Sequence, residues 1–154
     1  MEPSKYTILV VDDEEPIRNL VCAFLNRQGY LCVKATDGVD ALGKMKINKI
    51  DAIVTDIKMP KMDGIMLTIE VSQQYPGLPV MVMTGFGEEY TAEKAISAGA
   101  WDFIQKPFSI EEFTIRFNKM LKGSQTAQPV KIKKDEDDEI VSLKSELEQA
   151  LNKG

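Results

Sequence analysis

Between Tyr6 and about Leu121 five short apolar runs alternate with stretches of helical periodicity. The runs are Ile8 to Val11, Leu31 to Ala35, Ala52 to Thr55, Pro79 to Met83 and Trp101 to Ile104. After the first run, Ile17, Leu20, Val21, Phe24 and Leu25 fall at i, i+3, i+4, i+7 and i+8, the spacing of one buried helix face. Ala41, Leu42 and Met45 repeat that spacing on a shorter scale, and Ile110, Phe113, Phe117 and Leu121 repeat it again. The segment from Gly64 to Tyr75 is less cleanly periodic, and Glu89 to Ala98 is alanine-rich and weakly apolar. Strand followed by helix, five times over, predicts an α/β fold with a doubly wound parallel sheet and helices on both faces. Right-handed crossovers then bring all strand C-termini to one edge, beyond which such sheets bind ligands.

Gly29, Gly38, Gly64, Gly77, Gly87 and Gly99 each fall between elements, where freedom at positive φ is useful, and Pro16 suits the first turn of the first helix. After Lys122 the texture changes to Gly-Ser-Gln-Thr-Ala-Gln-Pro, then a basic patch at Lys131 to Lys134 and an acidic block from Asp135 to Glu139. That is a linker composition. Beyond it Ile140, Leu143, Leu147 and Ala150 or Leu151 make an apolar seam of about two heptads, short of a coiled coil. The expected organisation is a domain over 1–122, a charged linker over 123–139 and a short amphipathic helical tail over 140–154. The tail is read as either a solvated helix or one that binds a partner or itself.

At 154 residues with 44% hydrophobic content the chain has room for one packed domain and a modest appendage. Its net charge of −5, without any long basic run, argues against a nucleic-acid surface. No stretch approaches ~18 consecutive apolar residues, and the amino-terminal segment lacks the layout of a signal peptide, so a cytoplasmic protein without a membrane partner is expected. Cys22 and Cys32 read as ordinary thiols on a helix and a strand. The chain has no histidine. Ser-His-Asp and Cys-His nucleophile activation, imidazole metal ligation and phosphohistidine donation are therefore excluded, and any phosphate transferred here must be received by a carboxylate.

Four runs end in polar residues with complementary chemistry: Asp12 and Asp13, Asp56, Thr84, and Lys106 close behind the fifth run. Taken singly, each has a plain reading. An acid after a strand is usually a turn or helix-cap residue, a lysine is usually exposed, and a threonine is an ordinary strand residue. Brought to one edge, they describe a phosphoryl-transfer site. Asp56 is a competent nucleophile toward phosphorus once charge is neutralised. Three carboxylates together repel one another and favour a divalent cation, with Mg²⁺ or Mn²⁺ suiting an all-oxygen octahedral shell. The Lys106 ammonium, held by Pro107, would pair with Asp56 and then with a phosphate oxygen. The Thr84 hydroxyl can donate to phosphate, with Gly85 and Gly87 letting its loop move.

Val10-Val11-Asp12-Asp13-Glu14, Asp56 with Met59-Pro60-Lys61-Met62-Asp63-Gly64, Thr84-Gly85, Gly99-Ala100-Trp101-Asp102-Phe103 and Lys106-Pro107-Phe108 together resemble the receiver domain of two-component response regulators. The resemblance spans about residues 6 to 121. It implies a flavodoxin-like (βα)5 sheet of strand order 2-1-3-4-5, to which the C-terminal tail is added. It implies that Asp56 accepts phosphate from the phosphohistidine of a sensor histidine kinase or a phosphotransfer protein. It also implies that Asp12, Asp13, Asp56 and the backbone carbonyl of Lys58 hold Mg²⁺, and that Thr84 and Phe103 form a switch pair. A phosphorylation-dependent homodimer through the fourth helix, fifth strand and fifth helix is a further implication. Lys58 and Phe86 stand two residues past Asp56 and Thr84, and neither can orient an attacking water, so slow self-dephosphorylation is expected, with Phe86 restricting solvent.

Three functions compete. A stand-alone receiver switching a downstream protein partner is favoured, because about 32 residues after Lys122 are too few for an output domain of usual size. The alternative is the amino-terminal piece of a longer regulator, such as an ATPase-type transcription activator, which the Thr84-Gly85-Phe86-Gly87 loop and the tail also resemble. An aspartyl-phosphate hydrolase of haloacid dehalogenase type is disfavoured, since Lys58 stands where that family carries its acid.

Overall fold

The structure, a computed structural model, describes residues 6–85 and 89–126; the expected tail helix, most of the linker and Phe86 lie outside the described residues. Five strands and five helices alternate: β1 Thr7–Val11, α1 Glu15–Arg27, β2 Leu31–Ala35, α2 Gly38–Ile47, β3 Ala52–Asp56, α3 Gly64–Gln74, β4 Val80–Thr84, α4 Glu89–Ala98, β5 Asp102–Gln105 and α5 Ile110–Thr126. All strand pairs are parallel, in the order β2-β1-β3-β4-β5. This is the flavodoxin-like sheet that the resemblance implies, and the doubly wound parallel arrangement that the chain's pattern predicts.

The period-two alternation of the central strands sorts their side chains into two cores. Ile8 and Val10, Ala52 and Val54, and Met81 and Met83 face Val21, Leu25, Phe113 and Phe117 of α1 and α5. Leu9 and Val11, Ile53, and Val80 and Val82 face Ala41, Met45, Leu67, Val71 and Ala95 of α2, α3 and α4. Burial on both faces explains why these strands are continuously apolar. An aromatic ladder closes the α1/α5 side, with Phe113 stacked on Phe117 at 5.6 Å and Phe117 edge-on to Tyr30 at 5.4 Å.

Local details depart from the sequence pattern in four places. On α1 Val21, Cys22 and Leu25 are buried, whereas Leu20 is 44% exposed. At about 100° per residue, Leu20 lies on the far side of Ile17 and Phe24 from Leu25, so a face centred on Leu25 takes in Cys22 instead. The fifth strand starts at Asp102, with Trp101 outside it and 40% exposed. Helix α5 continues to Thr126, past the expected boundary at 122. Glycines 29, 77 and 99 have positive φ, but Gly38 and Gly64 begin α2 and α3 and serve by lacking a Cβ.

Candidate functional site

The parallel register sets the strand ends side by side: Val11 pairs with Thr55, Asp56 with Met83, and Thr84 with Gln105. Asp12, one residue past β1, donates its N–H to the Ala35 carbonyl at 3.1 Å, which fixes it against the end of β2. Lys106, one residue past β5, donates its N–H to the Thr84 carbonyl at 2.8 Å. The Lys106–Pro107 peptide is cis.

These anchors converge on a pocket of carboxylates. One ligand oxygen from each of Asp12, Asp13 and Asp56 lies within 4.8 Å of the others. The Lys106 ammonium sits 3.2 Å from Asp56 Oδ1 and 3.7 Å from Asp12 Oδ2. Asp12 is fully buried, Asp56 half-buried and Asp13 exposed. Asp12 and Asp13 are not the side-chain caps that their position suggests: the N-cap of α1 is Glu14, with no side-chain cap bond. Asp12 Oδ1 instead accepts the Glu14 N–H at 2.9 Å, while Oδ2 is buried without a hydrogen-bond donor.

Burial pushes the Asp12 carboxyl up to about 6, with the charge of Asp56 adding to it, against the lowering pull of the Glu14 N–H and Lys106. Burial also raises Asp56, and Lys106 opposes that rise. Burial by itself would depress Lys106, but the Asp56 and Asp12 carboxylates outweigh it and hold the ammonium above its ordinary value. The buried Asp12 and the half-buried Asp56 are thus costly to ionise together with Lys106 between them. A hard divalent cation fits this arrangement: the donors are all oxygens, and Asp12 Oδ2 has a lone pair that no protein donor satisfies.

The loop after Asp56 is held from three directions. The Gly64 N–H donates to the Ile57 carbonyl at 2.7 Å, and a Cβ on Gly64 would collide with the Asp56 carbonyl oxygen. The buried Thr55 hydroxyl donates to that same oxygen at 2.8 Å. The Gly38 N–H donates to the Met62 carbonyl at 3.0 Å, under a Met62 side chain that leaves no room for a Cβ on Gly38. Asp63 caps α3 through a 2.8 Å bond from the Met66 N–H. Lys58 lies within this loop with an exposed side chain.

Thr84 and Phe103 line one cavity of about 570 Å³, with Gly85, Ala92, Glu93 and Ile96 among its other walls. Thr84 is buried, and Phe103 is 36% exposed. Among the described residues, every candidate side chain of the sequence thus falls on the strand C-terminal edge or in the cavity beside it. Arg18 was not among those candidates. It lies at i−3, i−4 and i−7 from Val21, Cys22 and Leu25, a charge on the buried face of α1, and because only the structure sets that face the sequence carried no signal for it.

A family profile described as response regulator receiver domain matches residues 8–118. The chain is 40% identical over 122 residues to the alkaline phosphatase synthesis transcriptional regulatory protein PhoP of Bacillus subtilis, covering 79% of this chain and 51% of that protein. It is 37% identical over 108 residues to the DNA-binding transcriptional regulator NtrC of Proteus hauseri, covering 70% of this chain and 23% of that one. The crystal structure of the receiver domain of NtrX from Brucella abortus superposes with a TM-score of 0.72 at 37% identity, over 75% of this chain and 98% of that one. The chain therefore spans about half the length of PhoP and about a quarter of NtrC.

Proposed function

The chain belongs to the response regulator receiver family, and from that premise we propose that Asp56 is its phosphoacceptor, supplied by a histidine kinase or phosphotransfer protein. Receiver domains are signalling modules rather than classical enzymes. The observation that carries the assignment is the Lys106 ammonium lying between two carboxylates, 3.2 Å from the half-buried Asp56 and 3.7 Å from the buried Asp12. In the transfer, an Asp56 carboxylate oxygen forms a bond to phosphorus as the phosphorus–nitrogen bond of the donor breaks, and the electron pair returns to the donor imidazole. Lys106 then exchanges part of its pairing with Asp56 for a phosphate oxygen. Asp12, Asp13, Asp56 and the Lys58 carbonyl would hold Mg²⁺ or Mn²⁺, which when bound supplies the charge neutralisation that in-line transfer needs.

Thr84 would donate its hydroxyl to the phosphate, and its shift would open space in the shared cavity for the Phe103 ring to turn inward. Two states of one cavity wall make the readout, presented to a protein partner or to a second copy of the chain. PhoP and NtrC are transcription regulators by name and longer than this chain. An output segment joined after α5 is the second reading, and it uses the same switch. Among the described residues no helix is long and apolar enough to cross a membrane, and a cytoplasmic location accords with two unpaired thiols.

Lys58 presents neither an acid nor an amide beside Asp56, so the acyl phosphate is long-lived; Phe86 as a solvent barrier extends this from the sequence. A phosphoryl lifetime of only seconds in purified protein would contradict it. The acceptor is tested with acetyl phosphate and Mg²⁺, reading acyl phosphate by intact mass, and with beryllofluoride, reading size by light scattering. Wild type responds in the mass assay and Asp56→Asn does not. Equal labelling of the two proteins would remove Asp56 from the role.

A further inference from the structure

The peptide of Asp12 is held at every polar atom but one. Its N–H goes to Ala35 on β2, and its Oδ1 accepts the Glu14 N–H. Its carbonyl oxygen accepts Arg18 Nη1 at 2.7 Å, a short charge-assisted bond from one turn into α1. What is left is Oδ2, buried, without a hydrogen-bond donor and 3.7 Å from the Lys106 ammonium that also pairs with Asp56.

Arg18 is an odd residue to find there. It lies on the packed face of α1 and is only partly exposed, and none of the ion pairs among the described residues includes it. Its Nε is buried with no partner. A guanidinium kept for stability would be matched by an acid; this one is committed to a single carbonyl oxygen and leaves another donor unsatisfied.

We propose that Arg18 is the positioning residue of the cation pocket: by gripping the Asp12 carbonyl it fixes the peptide so that Oδ2 is the oxygen presented to the divalent ion. The inference rests on the reading that the acidic pocket takes Mg²⁺. Arg18 touches neither the ion nor the phosphate, and acts through Asp12 as an outer-shell partner acts on a ligand.

The direction of the effect separates positioning from plain electrostatics. Removing a cation near an anionic pocket should by itself tighten Mg²⁺, whereas loss of positioning loosens it. The test is calorimetric titration of the full chain with Mg²⁺, with thermal melting in EDTA alongside. Arg18→Met, which keeps the aliphatic stem, is expected to weaken Mg²⁺ about tenfold while the metal-free melting temperature stays near that of wild type. Arg18→Lys, which retains a charged donor, recovers most of the affinity. If Arg18→Met fails to fold, Arg18→Gln, too short to reach the carbonyl, decides in its place with the same expected weakening. Wild-type or tighter affinity in the decisive variant overturns the proposal, as does an Arg18→Lys no better than Arg18→Met. If instead wild type fails to bind Mg²⁺, or Asp12→Asn binds it as wild type does, the cation pocket itself is refuted.

Discussion

Replacing Gly64 by alanine tests whether the phosphoacceptor loop is fixed by close backbone packing. A methyl on Gly64 would lie 2.9 Å from both the Asp56 carbonyl carbon and Ile57 Cα, and closer still to the Asp56 carbonyl oxygen. Carbon atoms make good contact at ~3.5 to 4.0 Å, so the overlap is about 0.6 Å or more. None of the three atoms belongs to a side chain that could rotate away. Forcing such a group into packed structure costs about 1 to 3 kcal/mol, sometimes more, and the gain in helix propensity at the first position of α3 offsets less than ~1 kcal/mol. A net loss near 2 kcal/mol is expected. Gly43 is the control, because it lies within α2 and a Cβ there meets nothing within 4 Å. Gly43→Ala should therefore stabilise by roughly 0.5 to 1 kcal/mol. Urea unfolding followed by circular dichroism should place the two variants on opposite sides of wild type. Only Gly64→Ala should also weaken Mg²⁺ and slow labelling by acetyl phosphate, since the displaced atoms belong to Asp56 and its neighbour. A Gly64→Ala protein within about 0.5 kcal/mol of wild type, or shifted in the same direction as Gly43→Ala, refutes the reasoning.

Three further outcomes follow from the same geometry. Because the Asp12 pKa is raised from 3.8 to about 6, the native state binds more protons than the unfolded chain between those values, and metal-free stability falls as pH rises through that window. The term is at most about 3 kcal/mol; urea midpoints in EDTA at pH 5 and pH 7 should show it in wild type and lose it in Asp12→Asn. Lys106→Met removes the ammonium that lies 3.2 Å from Asp56 and 3.7 Å from the buried Asp12, so it should destabilise the metal-free protein by about 3 kcal/mol, with Mg²⁺ restoring more stability to it than to wild type. Thr84→Ala should still accept phosphate but fail to relay it, so a change in Trp101 fluorescence on adding beryllofluoride, expected in wild type because Trp101 stands two residues before Phe103, should shrink to near zero. A full response in Thr84→Ala would separate the hydroxyl from the switch.

The alternation of short apolar runs with helical periods was enough to specify a doubly wound parallel sheet, since both signals are local and each strand is buried on two faces. Handedness and chain order then placed Asp12, Asp56, Thr84 and Lys106 at one edge, because parallel strands joined by right-handed crossovers leave no other arrangement. Residue type supplied the chemistry of the pocket, and the absence of histidine narrowed it. The sequence could not say which face of α1 was buried, since Leu20 and Cys22 both suit an apolar stripe and only the seating of the helix on β1 and β2 chooses between them. It could not single out Gly64 as a point of contact with Asp56, or Arg18 as the grip on the Asp12 carbonyl, because both depend on distances between separate segments. The raised pKa of Asp12 is also a tertiary property: it sums the water excluded and the charges gathered by β1, β3 and the end of β5. Pattern and residue type are carried along the chain, whereas desolvation and contact exist only after distant segments have packed together.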